Sequence, residues 1–313
     1  MTEPDGWLNV ASDEVEKSVV QISAARRATV GDVPVRRALP ATGRRTVGAW
    51  CFADHMGPTD FTPENGLDIG PHPHTGLQTV TWLIEGEATH HDSLGSEQVI
   101  TPGQLNLMSA GRGVAHSEEA TGTYRGRLQG IQLWVAQPEA TRHGDAAFEH
   151  HASLPMLETG GAVVTVLVGS LLELTSPARH DTELMGADLR LHGRVALPLE
   201  RRFEHAVIVL EGSLAIDGTP LEPGSMGYLP TGRDEVELDA RRPTSAIMLG
   251  GVPFPERIFM WWNFVARSRD EIDSAYLSWS EPDGRYGEVH SGLARIETPP
   301  PYWMDPGTPP PAH

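Results

Sequence analysis

Cysteine is almost missing from this chain of 313 residues: Cys51 stands alone, so no internal disulfide can form and a reducing compartment is expected. A lone thiol of this kind is read as a small buried apolar residue rather than a reactive group. Positive charge is also scarce, with 24 basic against 42 acidic side chains and a formal charge of −18. Lys17 is the only lysine, and the arginines scatter in pairs such as Arg26-Arg27, Arg44-Arg45, Arg201-Arg202 and Arg241-Arg242. Without a basic stripe, so acidic a chain repels nucleic acid and anionic membrane surfaces, though it leaves room for a basic protein partner. Long apolar runs are missing too, none nearing the ~18 residues that cross a bilayer. The opening "MTEPDGWLNVASDEVEK" lacks the apolar centre of a secretion signal, and a cytoplasmic protein is expected.

Amphipathic helices are few. The clearest begins at Ser268, an N-cap with Glu271 three residues on, followed by Ile272, Ala275, Tyr276 and Trp279 at helical spacing. What the chain has in plenty is glycine (33) and proline (26), which punctuate short alternating runs such as "QTVTWLIEGE", "LQGIQLWVAQ" and "HAVIVLEGSLAID". That is the pattern of an all-β protein with antiparallel strands.

An internal repeat divides the chain in two. Turns at Glu85-Gly86, Pro102-Gly103 and Ala110-Gly111 recur in order as Glu211-Gly212, Pro223-Gly224 and Thr231-Gly232. The last two turn glycines lie eight residues apart in both copies, while the middle hairpin shrinks from 17 to 12. One barrel unit used twice is the simplest reading. It places a flexible segment at 1–15, a first domain at 16–145, a linker at 146–160, a second domain at 161–297 and a Pro-rich disordered tail at 298–313.

The candidate site lies in the first copy. Residues two apart on a strand share a face, so His72 and His74 in "GPHPHTG" point together, as do His116 and Glu118 in "GRGVAHSEE". On neighbouring strands these pairs bring three imidazoles and a carboxylate to one point, a donor set suited to a first-row transition ion. The second copy is an internal control: counting from its turns gives Pro198, Glu200, Glu237 and Asp239, with no imidazole. His90-His91 and His150-His151 are adjacent pairs, which alternate faces and read as surface histidines. "SAGRG" lacks the Lys-Ser/Thr ending of a phosphate loop. His55 and Met56, in "FADHMGP", are candidates for the entrance, and the aromatic run Phe259 to Phe264 for packing between the helix and the second barrel.

With "HMGP", "HPH" and "AGRG…HSE" in this order, and with "FEHAVIVLEGSLAIDG" and "PFPERIFMWWNFVARSRDEI" downstream, the chain resembles the pirin family of bicupins over roughly residues 15 to 290. The resemblance implies two tandem cupin (jelly-roll) barrels. It also implies one non-haem Fe(II) in the first, bound by His72, His74, His116 and Glu118, and a metal-free second barrel. Some members are quercetin 2,3-dioxygenases (flavonol 2,4-dioxygenases), so a small aromatic substrate and O2 are the expected partners, with Glu118 as the catalytic base or a permanent anionic ligand. Others are iron-dependent co-regulators, so the alternative is an iron- or redox-sensing protein that binds a regulatory partner. The chain departs from the family pattern at Thr75, Leu77, Gln78 and His91. Gln78 and a backbone carbonyl from the Gly-rich turn are the candidates to bond the free imidazole nitrogens.

Overall fold

The computed structural model describes residues 20–30, 33–62 and 66–304, so the 1–15 segment lies outside the described residues. Each half of the chain forms a seven-stranded antiparallel sheet facing a four-stranded one. In the first barrel the large sheet is centred on Leu77–Glu85, Gly126–Ala136 and Trp50–Phe61, and the small one contains Ile69–His74, Val114–Glu119, Ala88–Asp92 and Glu97–Ile100. The second barrel repeats the plan with Glu204–Glu211, Thr244–Gly251 and Leu184–Leu191 against Arg194–Pro198, Glu235–Asp239, Leu214–Ile216 and Thr219–Leu221. The expected all-β bicupin architecture is present, with its one described helix at Arg269–Ser280. Among the described residues no helix is long and apolar enough to cross a membrane.

The two large sheets pack back to back, which explains strands that are buried on both faces. Val80, Trp82, Ile131 and Leu133 of one meet Ile208, Met226, Ile247 and Leu249 of the other in a single apolar core. Trp50 sits fully buried in this interface, and its indole Nε1–H donates to the carbonyls of Met185 (3.0 Å) and Gly250 (3.2 Å). Gly186 makes room for it, because a Cβ there would meet the Trp50 ring at 2.9 Å. Trp50→Phe keeps an aromatic ring but removes the donor, and should lower the unfolding free energy by about 2 kcal/mol. A fall in the urea midpoint at constant slope is the expected reading, and an unchanged midpoint would refute it.

The interior of the second barrel is aliphatic, filled by Val195, Leu197, Val236, Leu238, Val209 and Met248. The residues reached by counting from its turns are out of phase: Pro198 and Glu200 are exposed, and Glu237 and Asp239 lie on the half-exposed face of their strand. Its inward face holds one buried imidazole, His205, on the same strand face as Val207 and Val209, and among the described residues no second or third metal donor converges on it.

The ends of the chain cross between the barrels, which corrects the sequence-based division. Gln21–Ala24 pairs with Ser225–Leu229 of the second barrel, not with the first. The 146–160 segment is mostly strand, Ala147–His151 extending the first large sheet and Met156–Glu158 the second. Ser268 caps the helix as expected, Glu271 N–H donating to its Oγ at 3.2 Å, and Ile272, Ala275 and Trp279 are buried. The helix and the aromatic run before it pack on the first barrel rather than the second, with Phe264, Trp279 and Tyr286 clustered around Ala115. Gly76 receives this segment at positive φ (69°), where a Cβ would lie 2.2 Å from the Val265 carbonyl oxygen. The disordered-tail expectation fails over 298–304: Trp303 Nε1 donates to Asp273 Oδ1 at 2.7 Å and its ring meets Trp261 edge-on. Residues 305–313 lie outside the described residues.

Candidate metal centre

The Ile69–His74 strand alternates histidine with Pro71 and Pro73, residues that cannot donate to a sheet ladder. Such a strand belongs at a sheet edge, and there it lies, paired on one side with Val114–Glu119. The register sets His116 directly across from His72 and Val114 across from His74. The three rings therefore meet: their centroids are 4.4 to 5.0 Å apart, and one nitrogen from each falls within a 4.8 Å cluster. Among the described residues no other group of histidine, cysteine or acidic side chains converges in this way. The open edge is covered by the C-terminal segment, with Ile296 N–H donating to Pro71 O (2.9 Å) and Val265 N–H to Thr75 O (3.0 Å). Thr75, one of the departures from the family pattern, joins this contact through its hydroxyl, 3.1 Å from Tyr286 Oη.

Burial keeps all three imidazoles neutral, as metal binding requires. It pushes His72 down to about 4 against the opposing pull of the Gly70 carbonyl, while His74 and His116 fall well below the ordinary value, first by burial and then by neighbouring imidazoles. The tautomers follow by elimination. The Gly70 carbonyl can only accept, so His72 donates from Nδ1 (2.9 Å) and keeps a lone pair on Nε2. For His116 the outer partner is His90, Nδ1 to Nδ1 at 3.3 Å, and His90 Nε2 in turn lies 3.2 Å from Asp92 Oδ2. Burial alone would raise the Asp92 carboxyl, yet its bonds to His90 and Ser96 hold it below the usual carboxylate range. An ionised Asp92 accepts from His90 Nε2–H; with that as its one ring proton, His90 accepts on Nδ1 from His116 Nδ1–H, the arrangement that leaves His116 Nε2 as a lone pair.

His90 thus corrects the surface reading: it is 4% exposed and stacks on Phe148 at 4.4 Å and 13°. The signal was present in the chain, because His90 and Asp92 show the same two-residue spacing that singled out His72 and His74. His91, on the opposite face, points to Glu97 and Glu119. Gln78 does not support the site; its amide donates to Ser109 Oγ at 2.8 Å. The backbone carbonyl that bonds His72 is that of Gly70, two residues back on the same strand, rather than one from the Gly-rich turn.

Glu118 stands beside the imidazoles rather than within their 4.8 Å cluster. The pairing slips between His116 and Glu118, so Glu118 faces Ile69 instead of Gly70. Its carboxyl is buried, which raises its pKa, and no arginine pairs with it; Thr81 Oγ1 approaches Oε1 at 3.3 Å but lies closer to Gln132 Oε1, at 2.8 Å. His72, His74 and Glu118 open onto a cleft of about 1360 Å³. Its walls include Phe52 and Trp134, stacked at 4.0 Å, and Phe259, Trp261 and Trp262 from the C-terminal segment. Met56 lines this cleft, but His55 does not, since it projects from the other face of the strand toward Arg36 and Gln129.

His55 carries a separate pH effect. Burial, with Arg36 adding to it, pushes the imidazole down from 6.5 to about 3. Over that window the unfolded chain binds a proton that the folded one excludes, so stability is full above 6.5 and falls as pH drops toward about 3. Gln in place of His55 can still accept from Arg36, and should flatten the acid limb by about 1.4 kcal/mol per pH unit. Urea midpoints followed from neutral to mildly acidic pH measure this; parallel slopes for the two proteins would exclude it.

A metal ion fits this donor set. His74 Nε2 and His116 Nε2 are 3.0 Å apart, two nitrogens that repel as bare lone pairs and are reconciled by a proton or a shared cation. The Asn263 backbone supports the His74 ring from outside, and the nearby Glu118 carboxylate has no guanidinium to neutralise it. Comparison with known proteins points the same way. Sequence models of the pirin domain and of the pirin C-terminal cupin domain match residues 32–135 and 185–285. A Pseudomonas aeruginosa protein provisionally named a quercetin 2,3-dioxygenase is 43% identical over 93% of both chains. A Caulobacter vibrioides pirin-like protein is 37% identical, covering 84% of this chain and 96% of its own. The crystal structure of quercetin 2,3-dioxygenase from Acinetobacter baumannii superposes with a TM-score of 0.87 at 43% identity, covering 90% of this chain and 95% of that one. Matched in both barrels and over nearly its whole length, the chain belongs to the pirin family.

Proposed function

We propose that this protein is an Fe(II)-dependent dioxygenase that opens a flavonol or related enolisable aromatic ring with O2. The observation that carries the reading is the meeting of three neutral, buried imidazoles, with an uncompensated carboxylate beside them, at the floor of an aromatic-walled cleft. His72, His74 and His116 would hold the ion, which supplies Lewis-acid polarisation and one-electron chemistry with dioxygen.

The chain's own groups account for the rest. A flat substrate ring stacks on the Phe52–Trp134 wall, with its enol directed toward the histidines. Glu118 takes the enol proton on a carboxylate oxygen; burial raises its pKa and so makes it a stronger base than a solvated carboxylate. Thr81, close to Oε1, steadies its orientation. Arg37 is locked to Asp54 by two bonds (2.8 and 2.6 Å) and lies 4.4 Å over Phe52, which stiffens that wall. The hairpin of Phe259–Trp261 and Phe264–Ala266 shields the histidine edge from water.

The test is oxygen uptake with carbon monoxide release when protein loaded anaerobically with Fe(II) meets quercetin and air, with His74→Ala as the control. No turnover above that of the free ion defeats the proposal. Metal analysis of protein purified without added metal should find iron; zinc in its place removes the redox part of the reading.

A further inference from the structure

We infer that the cleft takes an anionic aromatic, one whose carboxylate, sulfate or similar group sits on the ring system away from the reacting enol. This rests on the cleft being the substrate site, and adds the charge of the substrate. In a chain of charge −18, six of the 24 basic side chains line the cleft, against only two of the 42 acidic ones, Asp54 and Glu118. Asp54 is spent on Arg37. Arg44 has a distant partner, Glu204 at 3.7 Å, and lies over the Tyr228 ring. Arg26, Arg45, Arg257 and Arg269 line the same cleft and form no ion pair with the described residues.

Local electrostatics oppose two of these guanidiniums to different degrees. Arg26 lies directly across the strand pair from Arg37, a like-charge juxtaposition that the Asp54 carboxylate partly offsets. Arg269 occupies the first turn of the helix, where the helix dipole disfavours a cation. Arg257 and Arg269 are mounted on aromatic platforms, 5.1 Å over Phe259 and 5.1 Å over Trp303 respectively. A guanidinium beside an aromatic face suits a flat ligand bearing a planar or trigonal anion, which it can meet with two parallel N–H donors. The volume agrees, since about 1360 Å³ exceeds the roughly 300–1,000 Å³ of ordinary small-ligand sites and accommodates a substituted ring system.

The experiment compares quercetin with quercetin sulfonate on the full-length protein, by quenching of tryptophan fluorescence at low and high ionic strength and by turnover. The sulfonate should bind about tenfold more tightly at low salt, and that advantage should shrink several-fold at high salt. The Arg257→Gln, Arg269→Gln double variant should lose about tenfold for the sulfonate and keep its affinity for quercetin. These arginines are exposed, so the variant folds. Equal affinities at low salt, or a double variant that weakens both ligands alike, overturns the inference. A binding preference without turnover of either compound supports it and removes the dioxygenase reading instead, whereas turnover of both without preference does the reverse.

Discussion

His116→Ala should purify without stoichiometric metal and show no flavonol turnover above the free-ion background. His116 is the hinge of the cluster: its Nε2 is 3.0 Å from His74 Nε2, its ring centroid 4.4 Å from that of His72, and its strand is the one that brings the two segments together. Truncation leaves two imidazoles on one edge strand, too few donors to retain a transition ion against the cell's own ligands. Affinity should fall more than the roughly 10–100-fold that loss of a supporting outer residue costs. The fold should persist, because the strand keeps its backbone pairing on both sides and neighbouring Ala115 keeps its apolar contacts. Two readouts separate metal loss from misfolding. Chelation should lower the melting temperature of the wild-type protein, since an ion bound only to the native state stabilises it, and should leave that of His116→Ala unmoved. A variant that still carries an equivalent of metal removes the three-histidine centre from the account.

His90→Phe should weaken metal binding by about 10–100-fold while leaving the unfolding midpoint close to that of the parent. The phenyl ring preserves the stack on Phe148, so packing is retained and only the two ring nitrogens are lost. Asp92 keeps its bonds from the backbone N–H groups of Leu94 and Ser96, both 2.9 Å, and does not become an orphaned charge. What disappears is the acceptor that fixes the proton of His116 on Nδ1. The imidazole is then free to carry its proton on Nε2, the nitrogen that faces the site, and that tautomer cannot ligate. Asp92→Asn should give a smaller loss in the same direction, because an amide can still accept from His90 through its oxygen but no longer holds a charge. Competition against a chromophoric chelator measures both affinities. An affinity equal to that of the parent in His90→Phe would show that His116 needs no tautomer control from this direction.

Much of the site was legible because its grammar is local. Two residues apart on a strand means one face, and that rule alone aligned His72 with His74 and His116 with Glu118. The same rule aligns His90 with Asp92, a signal masked by the neighbouring His91, which takes the opposite face. The separation of Glu118 from the cluster could not be read, because it depends on a slip in pairing between His116 and Glu118, and a slip is a property of two strands together. The same holds for Gln78, whose face depends on which sheet it joins.

The amino-acid sequence by itself determined the repeated all-β units and the three imidazoles of the centre, since alternation, turn residues and donor chemistry are carried by neighbouring residues. The tertiary structure alone decided that the two large sheets lie back to back, that the C-terminal helix and its aromatic hairpin cross over to roof the first barrel, and that unpaired arginines gather at its mouth. Those features come from apolar faces and sheet edges finding partners far along the chain, and short-range patterning does not specify which distant partner buries them best.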